Sequence, residues 1–391
     1  MRPGVLLVTG AYYPELSGAG LQTRSLITRL CDQVRFTVLT TTADRSLPSA
    51  DRRDGIEVHR VFVDPRSRWS KVVGAVRFTL RYLRLSSRFS VVHLVGFSQK
   101  SILFVVLARL SRKKIAIKLT SFGHDDPISM RRRGGVAAAC YRSADLYLAV
   151  SPAFAPAYEA EALPRDRFRL MPNGVDIERF RPATADERGA VRRSMEISAT
   201  SFVVLFVGFF SREKRPDVLF DAWARLAIEP GADSVLVFVG ATRSAYHEVD
   251  QYLADEIRAR ATASGVANRL RFVEETRHIE AFHRMADVFV LPSVREGMSN
   301  ALLEAMACGV PSIATRIEGV TDVVIEDGVT GLLVPPDDVE ALERGLQRIA
   351  LDRPWAARLG QEARRAVETR FSLEQSAQRH LDAYRCLAGT A

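Results

Sequence analysis

Between Leu291 and Ala314 the chain reads LPSVREGMSNALLEAMACGVPSIA, and two carboxylates there stand eight residues apart. An apolar run ends at Leu291, a loop carries Glu296 and Gly297, and Ser299 or Asn300 supplies a good N-cap for a helix. Gly309 follows the last apolar turn and Pro311 lies beyond it, which marks the helix end. The amides of Ser299, Asn300, Ala301 and Leu302 are expected at the helix start, where N–H groups and the helix dipole favour a diphosphate. Glu304, one turn in, is then able to accept both hydroxyls of a ribose, and Glu296 in the loop to reach hydroxyls of a sugar beyond the phosphates. A surface helix that happens to carry two glutamates is the competing reading of the pair alone.

The elements that position these groups follow from the apolar pattern. Short runs bounded by turn residues recur at Gly4–Thr9, Phe36–Thr41, Val91–Val95, Ile115–Leu119, Asp145–Val150 and Phe168–Met171. A second set spans Phe202–Val207, Ser234–Val239, Leu270–Val273, Asp287–Leu291, Pro311–Ala314 and Gly331–Val334. Continuous β-branched runs without alternation suit parallel strands buried on both faces. With helical patterns between them, they predict two doubly wound α/β sheets. A short internal match supports the division: Ala144-Asp145 precedes an apolar strand and Ser151, as Ala286-Asp287 precedes another and Ser293. In such sheets ligands bind outside the carboxyl ends of the strands, so two facing sheets would enclose a cleft.

A chain of 391 residues suits two domains rather than one core. The expected division is an N-terminal domain over 1–170, a second domain over 171–371, and a terminal helix within 372–391 returning to the first. The turn Met171-Pro172-Asn173-Gly174-Val175-Asp176 marks the boundary. Residues 1–170 carry 28 Lys+Arg against 13 Asp+Glu, a net of +15, and the remainder nets −6. The basic half would suit anionic lipid, a lipid-phosphate acceptor or nucleic acid. It lacks interleaved aromatic platforms and any reading motif, which argues against nucleic acid. The segment Arg66 to Arg88 is basic and amphipathic, with Trp69, Val72, Val73, Val76, Leu80 and Leu83 near one face. That face is expected either to pack on a sheet or to lie on an anionic membrane.

Cys31, Cys140, Cys308 and Cys386 are scattered without metal or disulfide spacing. The N-terminus reads as a first strand rather than a signal peptide, and no apolar run reaches spanning length. A cytoplasmic protein, peripheral at most on the inner membrane face, is the expectation.

The stretch Glu296 through Pro311 closely resembles the signature of glycosyltransferase family 4: a Glu, seven residues, a Glu, then Ala-Met-Ala-Cys-Gly-x-Pro. Pro172-Asn173-Gly174-Val175-Asp176 with Phe180 and Pro182 resembles the family's linker. The resemblance implies a GT-B fold of two Rossmann-like domains and a retaining transfer of a hexose-type sugar from a UDP- or GDP-sugar. Base contacts would fall near Phe272 to Thr276. The acceptor would be a saccharide or lipid-linked hydroxyl in envelope or exported polysaccharide synthesis. It further implies a front-face reaction in which the departing phosphate takes the acceptor proton. No cofactor or metal is implied, and the chain contains no Asp-x-Asp.

Residue roles carry over by position. Lys214 matches the lysine that neutralises the donor diphosphate, while Phe209 stands where the family has arginine; Arg212 or Arg215 would then supply the second cation. Gly18 and Gly20, after the first strand, resemble the family's glycine-rich loop, although an ordinary tight turn would read the same. His124 follows the strand Ile115–Leu119, where the family often has a histidine lining the sugar pocket; a plain loop histidine is the alternative. His93, at another strand end, reads as structural. A nucleotide-sugar epimerase or phosphorylase on the same fold is the runner-up, distinguishable by release of an isomerised donor or free sugar.

Overall fold

The computed structural model describes residues 2–15, 17–242, 249–274 and 276–389. The chain divides into two compact units, one of Met1–Gly174 with Leu373–Ala391 and the other of Val175–Ser372.

The first unit is built on an eight-stranded sheet among the described residues. In chain order its strands are β1 (Gly4–Thr9), β2 (Arg35–Thr42), β3 (Ala50–Arg53), β4 (Ile56–Phe62), β5 (Val91–Val95), β6 (Lys114–Leu119), β7 (Leu146–Ala149) and β8 (Phe168–Leu170). The spatial order is β3-β4-β2-β1-β5-β6-β7-β8, parallel throughout except for β3. The strands β1 and β5 are buried almost entirely, as their unbroken apolar runs require. Sequence reading missed β3 and β4. Arg60 sits buried within β4 because Asp51 of β3 accepts from its guanidinium at 2.6 Å, so a charged residue interrupts the apolar pattern. The turn between them is Asp54-Gly55, both at positive φ (49° and 78°), a hairpin signal legible in the sequence.

The helix Leu373–Ala388 packs on this unit rather than on the second. Ala377, Leu381 and Tyr384 join Val5, Leu7, Tyr12, Ile27 and Val38 in one core. Inside that contact, His93 Nδ1 and the Tyr384 hydroxyl lie 2.7 Å apart, and His380 stacks on His93. Burial holds both imidazoles well below the usual histidine range, His380 at about 3.

The second unit has a six-stranded, wholly parallel sheet among the described residues. Its strands are β9 (Phe202–Val207), β10 (Ser234–Val239), β11 (Leu270–Val273), β12 (Val288–Leu291), β13 (Ser312–Thr315) and β14 (Leu332–Val334), in the order β11-β10-β9-β12-β13-β14. The chain moves one way from β9 to β11 and then returns to β9's other side with β12. The pair β9–β12 is therefore the point where strand order reverses. In the first unit the same reversal falls between β1 and β5.

The short internal match has a structural basis. Asp145 Oδ2 accepts from the Ile115 amide (2.9 Å) at the start of neighbouring β6, and Asp287 Oδ2 accepts from the Val203 amide (2.7 Å) of neighbouring β9. Each aspartate thus caps an adjoining parallel strand. No helix among the described residues is long and apolar enough to cross a membrane.

Candidate functional site

Ligands of open parallel sheets sit where strand order reverses, beyond the carboxyl ends. In the second unit that point is flanked by the loop after β9 (208–215) and the loop after β12 (292–299). The backbone joins them, because the Val294 amide donates to the Glu213 carbonyl at 2.9 Å. Side chains reinforce the link: Lys214 Nζ lies 2.5 Å from Glu296 Oε1, and Arg295 pairs with Glu213. Glu296 is nearly buried, so its charge would be costly without this partner.

The helix Asn300–Ala307 begins directly after the second loop, with Ser299 as its N-cap. The Ser299 hydroxyl accepts from the Leu302 amide at 3.3 Å. The Leu302 amide, offered to a ligand by the sequence reading, thus already has the capping hydroxyl as a partner. Asn300 and Ala301 occupy the first two positions of the helix as expected. Glu304 lies one turn in and is partly exposed.

His283, on the helix Ile279–Met285, was not singled out from sequence. Its imidazole is fully buried, with Nε2 3.4 Å from Glu304 Oε2 and no hydrogen-bond partner at either nitrogen among the described residues. Phe180 packs edge-on against it at 6.0 Å and Phe289 at 5.6 Å. Arg364 holds the entry segment in place by donating to the carbonyls of Ile177, Phe180 and Ala307. Nothing in the local sequence distinguished His283 from any histidine on an apolar helix.

Arg212 lies in the loop after β9, but its guanidinium is taken by Asp250 (2.8 Å) and Glu256 (3.0 Å). Arg215 faces Asp337 at 3.2 Å and Asp217 at 3.5 Å. Of these three cations, Lys214 is the one paired with a residue of the β12 loop. Close backbone approach explains the glycines at the sheet edge. A Cβ on Gly240, which has φ 142°, would stand 2.1 Å from the Gly208 carbonyl oxygen. Near the expected base contacts, Phe272 stacks on Phe238 in the core at 5.3 Å, and the Thr242 hydroxyl donates to Glu274. Glu275 lies outside the described residues.

In the first unit the loop after β1 leads into the helix Gly18–Leu30, capped by the Ser17 hydroxyl, which accepts from the Gly20 amide at 3.0 Å. A Cβ on Gly20 would meet the Ala11 carbonyl oxygen at 2.9 Å, so this glycine allows the helix to start against the strand end. Gly18 opens the helix, and Leu16 of the same loop lies outside the described residues. Lys100, also missed from sequence, reaches this strand end, with Nζ 2.7 Å from the Thr9 carbonyl oxygen. Burial pulls its ammonium down to about 8. His124 is exposed in a turn whose backbone is organised by Asp125. The Asp125 carboxylate accepts from the amides of Phe97, Thr120 and Ser121, tying the loops after β5 and β6 together. Among the described residues no three His, Cys, Asp or Glu side chains cluster in a metal-holding group.

Comparison with known proteins accounts for both units. The family model described as "Glycosyl transferases group 1" matches residues 187–366, and "Glycosyl transferase 4-like domain" matches residues 17–174. The D-inositol 3-phosphate glycosyltransferase of Saccharomonospora viridis is 34% identical over 223 residues, 56% of this chain and 50% of that protein. The protein of the same name from Actinosynnema mirum is 37% identical over 188 residues, covering 46% and 43%. The chain spans about half the length of the curated relatives it matches. Anabaena HepE, solved with UDP and glucose, superposes with a TM-score of 0.80 at 19% identity, over 98% of this chain and 100% of its own. Sucrose-phosphate synthase from Thermosynechococcus elongatus gives 0.80 at 22% identity, over 100% of both. At such identities these two likenesses speak for the fold alone.

Proposed function

The chain belongs to glycosyltransferase family 4, with the GT-B fold, and from that premise we propose that it moves a hexose-type sugar from a nucleoside diphosphate donor to a hydroxyl acceptor with retention of configuration. The observation that carries this reading is the pairing of Lys214 with Glu296 at the strand-order reversal, beside the start of the helix Asn300–Ala307. An ammonium held by the loop that leads into a helix start favours a diphosphate leaving group, whose charge grows as the glycosidic bond loosens.

In this proposal the diphosphate takes the Lys214 ammonium from Glu296 and rests on the first helical turn. Glu296 is then released towards the sugar hydroxyls, while Glu304, backed by His283, accepts the ribose hydroxyls. The acceptor hydroxyl attacks on the face from which the phosphate departs, and a phosphate oxygen receives its proton. No metal or cofactor enters this scheme. Arg212 would need to leave Asp250 and Glu256 before it could help, so Lys214 carries the cationic role.

UDP is the first donor nucleotide to test, HepE being described with UDP and glucose. The relatives' names offer an inositol phosphate as one acceptor. The basic first unit is equally suited to a lipid-linked phosphate acceptor on an anionic membrane. Thermal shift with UDP, GDP and ADP, followed by product analysis with the UDP-sugar, tests the reading. A shift with UDP and acceptor-dependent release of UDP are the expected results. Release of free sugar, or of an isomerised donor without any acceptor, would replace transfer with the phosphorylase or epimerase reading.

A further inference from the structure

The helix Arg68–Leu85 in the first unit has two apolar faces. Gly74, Phe78, Tyr82 and Leu85 form the buried one, and Phe78 and Tyr82 pack against Phe104. The face that the sequence left open between sheet packing and a membrane surface points outward. Trp69 is 79% exposed, and Val72, Val73, Val76, Leu80 and Leu83 are each between 44% and 55% exposed. At 3.6 residues per turn these six fall within roughly 100° of arc, opposite the buried set. An ordinary surface helix buries one stripe and turns charged or polar side chains outward. This one turns outward a second stripe several turns long.

Charge decides what fits it. Arg77 and Arg84 border the stripe on one side and Arg68 on the other, and none of them has an acidic partner among the described residues. Residues 65–124 contain 13 Lys or Arg and no Asp or Glu. A second copy of the chain docking through the same stripe would bring like charges face to face, which opposes a two-fold contact. A surface that is apolar beneath and anionic above meets both features, and a terminal tryptophan suits the boundary between them.

We propose that the outer face of the helix Arg68–Leu85 is a membrane-docking surface: Trp69, Val72, Val73, Val76, Leu80 and Leu83 enter the interfacial layer of an anionic bilayer, and Arg68, Arg77 and Arg84 engage its headgroups. The helix lies on the bilayer rather than spanning it, because its opposite face belongs to the core of the unit. It starts one short loop beyond the carboxyl end of β4, so its Trp69 end lies at the same sheet edge as the loops after β1 and β5. The docked bilayer would thus lie beside the strand-end loops. This last point rests on the reading of a lipid-linked acceptor; the docking itself does not.

Flotation with vesicles of phosphatidylcholine alone, and of phosphatidylcholine with phosphatidylglycerol, tests the surface on the full chain. The expected result is binding to the anionic vesicles only, weakened by salt, with tryptophan emission shifting to the blue and the shift lost in Trp69→Phe. The triple variant Val76→Ser, Leu80→Ser, Leu83→Ser and the double variant Arg77→Glu, Arg84→Glu should each lower partitioning at least ~10-fold. Both should retain the wild-type thermal shift with UDP, which shows that they fold. Absence of vesicle binding by the wild type, equal binding by the variants, or a homodimer broken by the triple variant in place of vesicle binding would each overturn the proposal. A UDP shift preserved alongside any of these leaves the donor reading standing. Vesicle binding without a UDP shift removes the donor reading and keeps the surface.

Discussion

Lys214 and Glu296 neutralise one another in the free chain at 2.5 Å, so an incoming diphosphate must compete for an ammonium that already has a partner. Under the proposed function, Lys214→Ala removes the preorganised cation at the leaving group and should lower kcat at least ~100-fold, measured in steady-state transfer assays. Near-normal turnover would take Lys214 out of that role. His283 makes a different prediction. Its imidazole packs against Phe180 and Phe289 with Nε2 3.4 Å from Glu304 Oε2, so under the proposed function it positions the carboxylate that takes the ribose. His283→Phe keeps the volume and loses the polar contact. Nucleotide affinity should fall by about 10-fold, and KM should change more than kcat. An equal loss in both would indicate a general structural defect instead.

At the scale of elements, packing depends on backbone proximity and buried polar contacts. The helix Arg353–Arg370 approaches the end of the helix Asn300–Ala307 so closely that a Cβ on Gly360 would lie 2.1 Å from the Gly309 carbonyl oxygen. Gly360→Ala should cost about 2 kcal/mol or more of stability, read by denaturant unfolding. The terminal helix Leu373–Ala388 has a pH signature. Folding buries His93 and His380 in neutral form and lowers both pKa values, so the unfolded chain binds more protons below the ordinary histidine range. The stability from these residues is present above the ordinary histidine value of 6.5 and is lost as pH falls towards about 3. Melting temperature should therefore drop between pH 7 and pH 5 by ~2 °C or more, and less so in His380→Leu. An unchanged slope in that variant would assign the acid sensitivity to other groups.

For the whole molecule, the two sheets make the same use of topology, each reversing strand order beside its first strand, β1 or β9. If UDP binds only the folded second unit, saturating UDP at about 100 times Kd should stabilise it by about 2.7 kcal/mol. The effect should be absent with ADP, and calorimetry of the full chain would report it. Stabilisation by all nucleotides alike would indicate that only the phosphates are read.

Much of this was legible before any coordinates. Unbroken apolar runs marked the buried parallel strands, because a strand covered on both faces has no reason to alternate. Ser299, Gly309 and Pro311 bounded the helix that carries Glu304, because caps and left-handed turns are local requirements. β3 and β4 escaped notice because a buried ion pair between Arg60 and Asp51 concealed their pattern. Only the tertiary structure decided which charges meet: Lys214 with Glu296 across 82 residues, Arg212 with Asp250 and Glu256, His283 against Glu304. It also decided which of two apolar stripes on the helix Arg68–Leu85 faces the core. Local sequence sets periodicity and capping, whereas the partner of a charge and the direction of a face depend on elements brought together only when the sheets assemble.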